Sequence, residues 1–461
     1  MNSYDLAVLG SGPGGYVAAI RGAQLGLKTC IIENNALGGI CLNWGCIPTK
    51  ALLKNAEVLH YIKNSEKFGI NVENISINFK KNIKRSRDVA KRLSKGIEFL
   101  IKKNRIKLYT GYGKLVSNKE IEINDGGKKL LVESKKIILA TGARPKTIPG
   151  IEFSDRIISY KKAMTIDRIP KRMVIIGAGA IGCEFAYYYN EFGTEVFLIE
   201  NEKNILPMED TDISKEVEKS FENSGIKILT GAKVSNITSL KTKVRVQILK
   251  DENQESISGD FALLAVGVSG NIENIGLEGL GISTENGAIQ INEYNQTNIP
   301  NIYAIGDVSG PPWLAHVASG QGHIAADHAA GHQVKPIQYS NIPGCTYCQP
   351  QVGSLGLTEK QAKDKGYDIN VGLFSFQGNG KAMAIGDTAG FVKLVFDSEY
   401  GELLGAHIVG PDATELINEL ALAKALETRW EDIAMTIHAH PTLSEAIMES
   451  AMDAFGSAIH K

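Results

Sequence analysis

Two cysteines five positions apart are the residues of this chain best suited to redox chemistry. Cys41 and Cys46 lie in the stretch GGICLNWGCIPTK at 38–50. A regular helix would hold their Cα atoms roughly 8–9 Å apart, whereas a disulfide needs about 4.4–6.8 Å. Pro48 disrupts helical hydrogen bonding and Gly45 adds freedom, so we expect a distorted first turn that lets the thiols pair. A helix N-terminus also favours a reactive thiolate, although two buried structural cysteines would show the same spacing.

A histidine and a carboxylate near the C-terminus could serve such thiols. In HAHPTLSE at 438–445, Glu445 follows His440 by five positions. Thiol chemistry at neutral pH needs a base, and a carboxylate can orient a histidine for that task. The pair taken alone is also typical of an ordinary surface ion pair, so both interpretations stay open.

A dinucleotide-binding motif precedes the cysteines. The sequence predicts a strand at 4–9, a helix that runs to about residue 25, and a second strand at 28–32 that is followed by Glu33. The loop GSGPGG between the first strand and the helix supplies Gly10, Gly12, Gly14 and Gly15. Such glycines permit a tight turn and the close approach of a pyrophosphate, and the acid can accept hydrogen bonds from ribose hydroxyls.

The same unit returns later in the chain. Predicted strands at 172–176 and 195–199 flank a helix, and the loop GAGAIG supplies Gly177, Gly179, Ile181 and Gly182. Two such motifs imply two dinucleotides, and a redox disulfide beside the first suggests that one is a flavin. Glu200 follows the second strand and would repel a 2′-phosphate, so NAD is favoured over NADP despite the nearby Lys203.

Composition narrows the class of protein. The 461 residues allow two to four domains, and 50 basic against 51 acidic residues give no global signature of a nucleic-acid or membrane partner. No apolar run approaches the roughly 20 residues that span a bilayer. The chain has six cysteines and a strand pattern almost from its first residue, so we expect neither a secreted disulfide framework nor a signal peptide, but a cytoplasmic protein.

The segment 80–105 carries eleven Lys and Arg residues against only Asp88 and Glu98. A nucleic-acid patch is one interpretation. Apolar residues at helical spacing favour instead a long amphipathic helix with a solvated basic face; they are Val89, Leu93, Ile97 and Leu100.

The rest of the chain supplies the remaining predicted elements. Strands are expected at 136–139, 261–266 and 301–305, and a helix at 313–330. Asp307 follows the third of these strands and could bind a polyol, although a strand-end turn aspartate is equally consistent. From about residue 341 the pattern changes to strands at 391–396 and 404–409 and a helix at 415–426, with no nucleotide loop.

Both glycine loops, the stretches at 38–50 and 438–445, and YAIGD at 303–307 together resemble the disulfide-containing flavoprotein reductase family over nearly the whole chain. The closest resemblance is to members that oxidise dihydrolipoamide. It implies an α/β fold with two Rossmann-like domains, which bind FAD and NAD, and an α+β C-terminal dimerisation domain. The implied boundaries are 1–145 for the FAD-binding domain, 146–268 for the NAD-binding domain, 269–340 for a central segment that completes the FAD site, and 341–461 for the interface domain.

The same resemblance implies residue roles. Cys41 would exchange disulfides with the lipoyl group and Cys46 would face the flavin. The resemblance also implies a homodimer, in which His440 and Glu445 of one subunit complete the site of the other. Lys50 and Glu184 would lie near the reactive edge of the flavin. Further implied contacts are Gly113, Gly142, Asp307 and Ala315 for the flavin, and Val234, Ala265 and Gly267 for the nicotinamide nucleotide.

The implied reaction is oxidation of protein-bound dihydrolipoamide with reduction of NAD to NADH in a 2-oxo acid dehydrogenase complex. The partner would be the lipoyl domain of the acyltransferase or the glycine-cleavage carrier protein. Glutathione reductase is the alternative, but it usually takes NADPH, which Glu200 opposes; mercuric reductase should carry a C-terminal cysteine pair, which 451–461 lacks.

Two features depart from the family pattern. VSGN follows Gly267 where a basic, proline-containing stretch is frequent, and Cys345 and Cys348 form a C-x-x-C. No second such motif supports a metal, so we interpret these two cysteines as ordinary buried residues. Cys30 and Cys183 are interpreted as packing residues.

Overall fold

The structure, a computed structural model, describes residues 2–461. The first nucleotide-binding unit forms where the sequence predicts it. Its elements are β1 (Asn2–Leu9), α1 (Pro13–Gln24), β2 (Thr29–Glu33), α2 (Gly39–Trp44), α3 (Cys46–Lys63), α4 (Phe79–Lys103), β3 (Lys107–Thr110), β4 (Tyr112–Leu115), β5 (Glu120–Asp125), β6 (Lys128–Leu139) and β7 (Ala143–Pro145). Strands β3, β2, β1 and β6 are parallel in that order, and β5 and β4 extend the sheet antiparallel beyond β6.

A second nucleotide-binding unit follows. It comprises β8 (Ile157–Ile158), α5 (Tyr160–Ala163), β9 (Arg172–Ile176), α6 (Ala180–Glu191), β10 (Glu195–Ile199), α7 (Thr211–Asn223), β11 (Lys227–Leu229), β12 (Lys233–Ser239), β13 (Val244–Lys250), β14 (Asn253–Gly259), β15 (Phe261–Leu264) and β16 (Val268–Gly270). The order β11-β10-β9-β15-β8 is parallel, and β12, β13 and β14 form an antiparallel sheet. Strands β7 and β16 pair antiparallel where the chain leaves the first unit and returns.

The chain then completes the first sheet and forms a third, C-terminal unit. The next elements are α8 (Leu277–Leu280), β17 (Thr284–Glu285), β18 (Ala288–Ile289), β19 (Ile302–Ala304) and α9 (Ala315–Ala329), and β19 joins β6 in parallel. The C-terminal part contains β20 (Gly344–Thr346), β21 (Gln351–Gly356), α10 (Glu359–Asp364), β22 (Ile369–Ser375), α11 (Gly380–Ile385), β23 (Phe391–Asp397), β24 (Leu403–Gly410), α12 (Ala413–Ala425), α13 (Trp430–Met435) and α14 (Glu445–Asp453).

The C-terminal sheet is antiparallel, in the order β20-β21-β24-β23-β22. The predicted fold class of two Rossmann-like units and an α+β C-terminal domain is therefore confirmed. The domain boundaries stay predictions. Within residues 2–461, no helix has the length and apolar character needed to cross a membrane.

The central strands are buried because helices cover one face of each parallel sheet, while antiparallel strands and their connecting segments cover the other. Leu6, Ala7 and Val8 in β1 are fully buried, as are Met173, Val174 and Ile175 in β9. Such strands read as continuous apolar runs rather than as alternating patterns. This explains why the sequence predicts both strands, β9 with its observed bounds and β1 with a start two residues too late.

Helix α4 confirms the long helix predicted at 80–105, but its buried face differs from the predicted one. Leu93 is 40% exposed, so its assignment to the apolar face is wrong. The buried side chains of the helix include Ile83, Ala90, Ile97 and Ile101. They repeat at seven- and four-residue intervals, and this places Leu93 at the edge of the inward face, roughly 65° from its centre.

Candidate active site

The stretch 38–50, which contains Cys41 and Cys46, includes the helix break that their spacing requires. Helix α2 ends at Trp44 and α3 begins at Cys46, because the backbone of Gly45 leaves the helical region with φ −141° and ψ −117°. The predicted distortion is confirmed, but its position is at Gly45 rather than at Pro48. Pro48 lies in the first turn of α3, where the N–H that it lacks needs no helical partner.

Cys41 and Cys46 are close enough to shift each other's pKa, and all six cysteines are free thiols in this structure. The hydrogen bond from Cys41 lowers the pKa of Cys46 to about 7. Burial opposes this shift and the Lys50 ammonium supports it. The hydrogen bond to Cys46, together with burial, raises the pKa of Cys41. The pair therefore loses its first proton from Cys46, near neutral pH, while Cys41 stays protonated.

The other four cysteines stay protonated at neutral pH and are therefore poor nucleophiles. Burial raises the pKa of Cys345 to about 11 and that of Cys30 to about 12, and it raises those of Cys183 and Cys348 as well. The Cys345 thiol points to the Thr414 carbonyl, whereas the Cys348 thiol points to that of Pro350. No group of three or more metal-ligating side chains occurs among residues 2–461.

An ion pair between half-buried Lys50 and buried Glu184 lies beside the cysteines. The Lys50 ammonium donates to both carboxylate oxygens of Glu184, at 2.9 and 3.0 Å, and Glu184 is only 4% exposed. The backbone N–H of Tyr347 donates to the same carboxylate at 3.1 Å, and the Lys50 nitrogen lies 4.3 Å from the centre of the Tyr347 ring. The sequence predicts the neighbourhood of Lys50 and Glu184 from the resemblance, but it gives no signal for Tyr347.

The first glycine loop has the shape of a phosphate cradle. A Cβ on Gly10 would lie 2.2 Å from the Ala140 carbonyl oxygen, and one on Gly15 would lie 2.1 Å from that of Gly10. The space beside Gly12 is open, with nothing within 4 Å. The outer glycines thus permit close packing, while the middle one leaves room for a ligand. Gly14 is also a packing residue, since its Cβ would meet the Ala318 carbonyl at 2.9 Å.

The second loop repeats this arrangement. A Cβ on Gly177 would lie 2.5 Å from the Ala265 carbonyl oxygen and one on Gly182 would lie 1.9 Å from that of Gly177, while Gly179 faces open space. Ile181 is 38% exposed at the start of α6. Gly267, which follows β15, has φ +100° and open space beside it, as Gly142 after β6 has φ +69° and open space.

An acid lies over each loop. Glu33 accepts hydrogen bonds from the Ser11 N–H at 2.9 Å and from the Ser11 hydroxyl at 2.6 Å. Glu200 accepts from the Ala178 N–H at 2.7 Å, in the equivalent position. Both carboxylates therefore lie at the mouth of a glycine loop, where a ribose would be bound.

The other predicted cofactor contacts fall into two groups. Asp307, Gly142 and Ala315 lie at the ends of elements that meet near the first loop: after β19, after β6 and at the start of α9. Burial raises the pKa of Asp307 and no charged group in the described chain offsets it, so its carboxyl is suited to hydroxyl partners. Gly113 and Val234 are packed in their sheets; a Cβ on Gly113 would lie 2.4 Å from the Leu9 side chain, and Val234 is 9% exposed.

His440 and Glu445 form the expected pair. His440 Nδ1 lies 2.8 Å from Glu445 Oε1, and the other carboxylate oxygen accepts from the Thr442 N–H at 2.8 Å. Burial alone would raise the pKa of Glu445, but the Thr442 N–H and His440 outweigh it and lower that pKa. The His440 side chain is 78% exposed, so its Nε2 is free to face another molecule.

Within one chain, no hydrogen bond or ion pair of residues 2–461 joins His440 or Glu445 to Cys41, Cys46 or Lys50. The single chain thus carries a thiol centre and a separate histidine–carboxylate pair.

Comparison with known proteins places the chain. Residues 4–322 match the family model described as pyridine nucleotide-disulphide oxidoreductase, and residues 342–451 match that of its dimerisation domain. The chain belongs to this family. Its members are oxidoreductases, and the chain is one as well.

Relatives and solved structures agree with the family. Dihydrolipoyl dehydrogenase of Zymomonas mobilis is 47% identical over 462 residues and that of Bacillus subtilis is 43% identical over 470, each covering 99% of both chains. LpdA from Mycobacterium tuberculosis matches with a TM-score of 0.91 at 25% identity, covering 98% of this chain and 99% of that one. The HOCl-induced flavoprotein disulfide reductase RclA from Escherichia coli matches at 0.87 and 26%, covering 97% and 99%.

Proposed function

We propose that this chain oxidises protein-bound dihydrolipoamide to lipoamide and reduces NAD to NADH. The observation that carries the proposal is the Cys41–Cys46 pair, in which one thiol has a pKa of about 7, in a segment whose Gly39 packs against Gly12 of the open glycine loop. The full-length relatives named dihydrolipoyl dehydrogenase support the substrate class.

The thiol chemistry follows from the two cysteines. In the disulfide form, a substrate thiolate attacks the Cys41 sulfur, the Cys41–Cys46 bond breaks, and Cys46 leaves as a thiolate. The low pKa of Cys46 makes it the better leaving group. The second substrate thiolate then attacks the substrate sulfur bound to Cys41, which closes the lipoamide disulfide and releases Cys41. Two electrons thus pass from the substrate to the cysteine pair.

His440 is the proposed base for these steps. Substrate thiols have pKa values near 8.5 or above and react as thiolates, so a base must take their protons at neutral pH. Glu445 holds Nδ1 of the ring, which leaves Nε2 to accept the proton and compensates the positive charge that forms. Because the pair is separate from the cysteines of its own chain, we propose that it serves the cysteines of the partner subunit in a homodimer.

FAD and NAD are the cofactors of this protein. Bound FAD would supply a two-electron acceptor for the cysteine pair and a hydride donor for NAD. The first glycine loop, Glu33 and Asp307 would hold FAD, and the loop at 177–182 and Glu200 would hold NAD. The Lys50 ammonium, fixed by Glu184, stabilises the Cys46 thiolate.

The partner follows from the substrate. We propose that a lipoyl domain, of a 2-oxo acid dehydrogenase acyltransferase or of the glycine-cleavage carrier protein, brings the dithiol to the site. The match to a dimerisation domain supports the homodimer. Location in the cytoplasm stays a prediction from the sequence.

Subunit complementation tests this proposal. Homodimers of Cys41→Ser and of His440→Gln should each be nearly inactive in NAD reduction by dihydrolipoamide. After dissociation and reassociation of an equal mixture, half of the dimers are mixed and each holds one native site, so about a quarter of native activity should return. The observation that would contradict a shared site is no recovery, in a mixture that native mass spectrometry shows to contain mixed dimers.

A further inference from the structure

The helix break between the two cysteines leaves a backbone carbonyl that needs a hydrogen-bond donor from outside the helix. The last carbonyls of a helix have no intrahelical donor, and α2 ends at Trp44. Asn43 is only 8% exposed, so its carbonyl cannot rely on bulk water. A buried carbonyl without a donor would destabilise the break that brings the thiols together.

Arg87 supplies the donor from a distant part of the sequence. Its guanidinium, on α4, donates to the Asn43 carbonyl oxygen. It also lies 4.5 Å from the centre of the Trp44 ring and 3.4 Å from the Met164 sulfur. One side chain thus contacts both residues that precede Gly45, in the middle of the segment that separates Cys41 from Cys46.

Ser94 acts on the same residue two turns further along α4. Its hydroxyl lies 3.0 Å from Asn43 Oδ1 and 2.9 Å from the Leu37 carbonyl oxygen. The Asn43 amide in turn donates to the carbonyls of Leu37 and Gly39, each at 2.9 Å. Arg87 therefore holds the backbone of Asn43 and Ser94 holds its side chain, so that α4 fixes both ends of α2.

We infer that Arg87 is a positioning residue for the Cys41–Cys46 pair, with Ser94 in support. The charges that set the pKa of Cys46 are those of Lys50 and Glu184, not that of Arg87. Arg87 therefore acts on the distance and orientation of the two sulfurs, which govern how readily the disulfide closes. This inference deepens the proposed function, because it requires that the pair cycles between disulfide and dithiol.

A thiol–disulfide equilibrium measures this effect directly. In graded mixtures of oxidised and reduced dithiothreitol, the disulfide of dithiothreitol breaks and the Cys41–Cys46 bond forms. Two electrons and two protons pass from the enzyme to dithiothreitol. Acid quenching, alkylation and mass spectrometry of the purified flavoprotein then give the ratio of the two enzyme forms. No lipoyl substrate is involved.

Arg87→Met should lower the equilibrium constant for closing by about tenfold, since it removes a charge-assisted hydrogen bond to a buried carbonyl. Arg87→Lys should restore part of this loss, because it keeps a charged donor without the planar stack on Trp44. Ser94→Ala should cost about threefold. Arg92→Met is the matched control: it changes an exposed arginine of the same helix and should leave the constant unchanged.

Two further measurements separate positioning from general damage. Bound flavin and NADH-dependent reduction of ferricyanide, which bypasses the cysteines, should both stay native in Arg87→Met. A closing constant equal to that of the native protein in Arg87→Met, with flavin retained, would overturn the inference. If the native protein fails to oxidise dihydrolipoamide while Arg87→Met still shifts the closing constant, the proposed substrate is wrong and the positioning role stands.

Discussion

Replacing Cys41 by alanine should raise the pKa of Cys46 and remove most of its thiolate at neutral pH. The hydrogen bond from Cys41 is the largest of the effects that bring this pKa to about 7 from its ordinary value of 9.0. Burial and the Glu184 carboxylate act in the opposite direction, and Lys50 supports the thiolate. Alanine at position 41 removes the largest favourable effect and leaves both opposing ones.

The size of the effect follows from the pKa values. A pKa of about 7 leaves about half of Cys46 as thiolate at pH 7. A return to 9.0 leaves about one thiolate in a hundred, because each pKa unit is a tenfold ratio. Cys41→Ser keeps a hydroxyl donor in the same place, so it should retain a thiolate fraction between these limits.

The assay is the pH dependence of iodoacetamide alkylation at Cys46 in the reduced protein, followed by mass spectrometry, because only the thiolate reacts. The midpoint should lie near 7 in the native chain and at least one unit higher in Cys41→Ala. The four buried or half-buried cysteines do not interfere, since burial raises the pKa of each. A midpoint near 7 in Cys41→Ala would refute the role of the hydrogen bond.

Three further predictions concern the nucleotide loop, the base and the core. Gly179 faces open space, so Gly179→Val should abolish NADH binding in a fluorescence titration while bound flavin and the melting temperature stay native. Gly182→Val should instead lower the melting temperature, because its Cβ would lie 1.9 Å from the Gly177 carbonyl oxygen. His440→Gln should lower kcat with dihydrolipoamide by roughly 10²–10⁴-fold and Glu445→Gln by less, with ferricyanide reduction by NADH unchanged; equal losses in both assays would contradict the role of a base. Lys393→Met should cost roughly 3–5 kcal/mol of unfolding free energy in urea at pH 7, because Lys393 is 2% exposed and lies 2.9 Å from the equally buried Asp210. Burial acts to raise the pKa of Asp210, but Lys393 outweighs it, so this pKa is lowered. The ion pair therefore stabilises the fold above the ordinary carboxyl pKa, and this stability is lost as the pH falls through the lowered pKa. A Lys393→Met variant with native stability and native acid sensitivity would contradict this prediction.

Local sequence patterns are sufficient to predict the two nucleotide-binding units. Strands β9 and β10 have the predicted bounds, because each is a short apolar run buried on both faces and followed by a glycine loop or an acid. The His440–Glu445 contact could also be predicted, since the residues are close in sequence. The motif at 38–50 predicted a distortion between the cysteines, but it did not show whether Gly45 or Pro48 carries the break, because a proline in a first turn is compatible with a helix.

Contacts between distant segments could not be predicted. Arg87 and Ser94 reach α2 across more than 40 residues, and nothing in the basic run at 80–105 distinguishes them from its solvated lysines. Lys393 meets Asp210 across 183 positions. Such contacts depend on how helices pack against each other, and packing is a property of the whole fold rather than of a local pattern.

Electron transfer from dihydrolipoamide to NAD by this chain can be tested directly on the purified flavoprotein. A paired assay compares dihydrolipoamide plus NAD with glutathione disulfide plus NADPH, each followed at 340 nm. We expect strong turnover in the first pair and little in the second, because Glu200 at the second loop repels a 2′-phosphate. Turnover only with glutathione disulfide and NADPH would contradict both the dihydrolipoamide substrate and the role of Glu200 in selecting NAD.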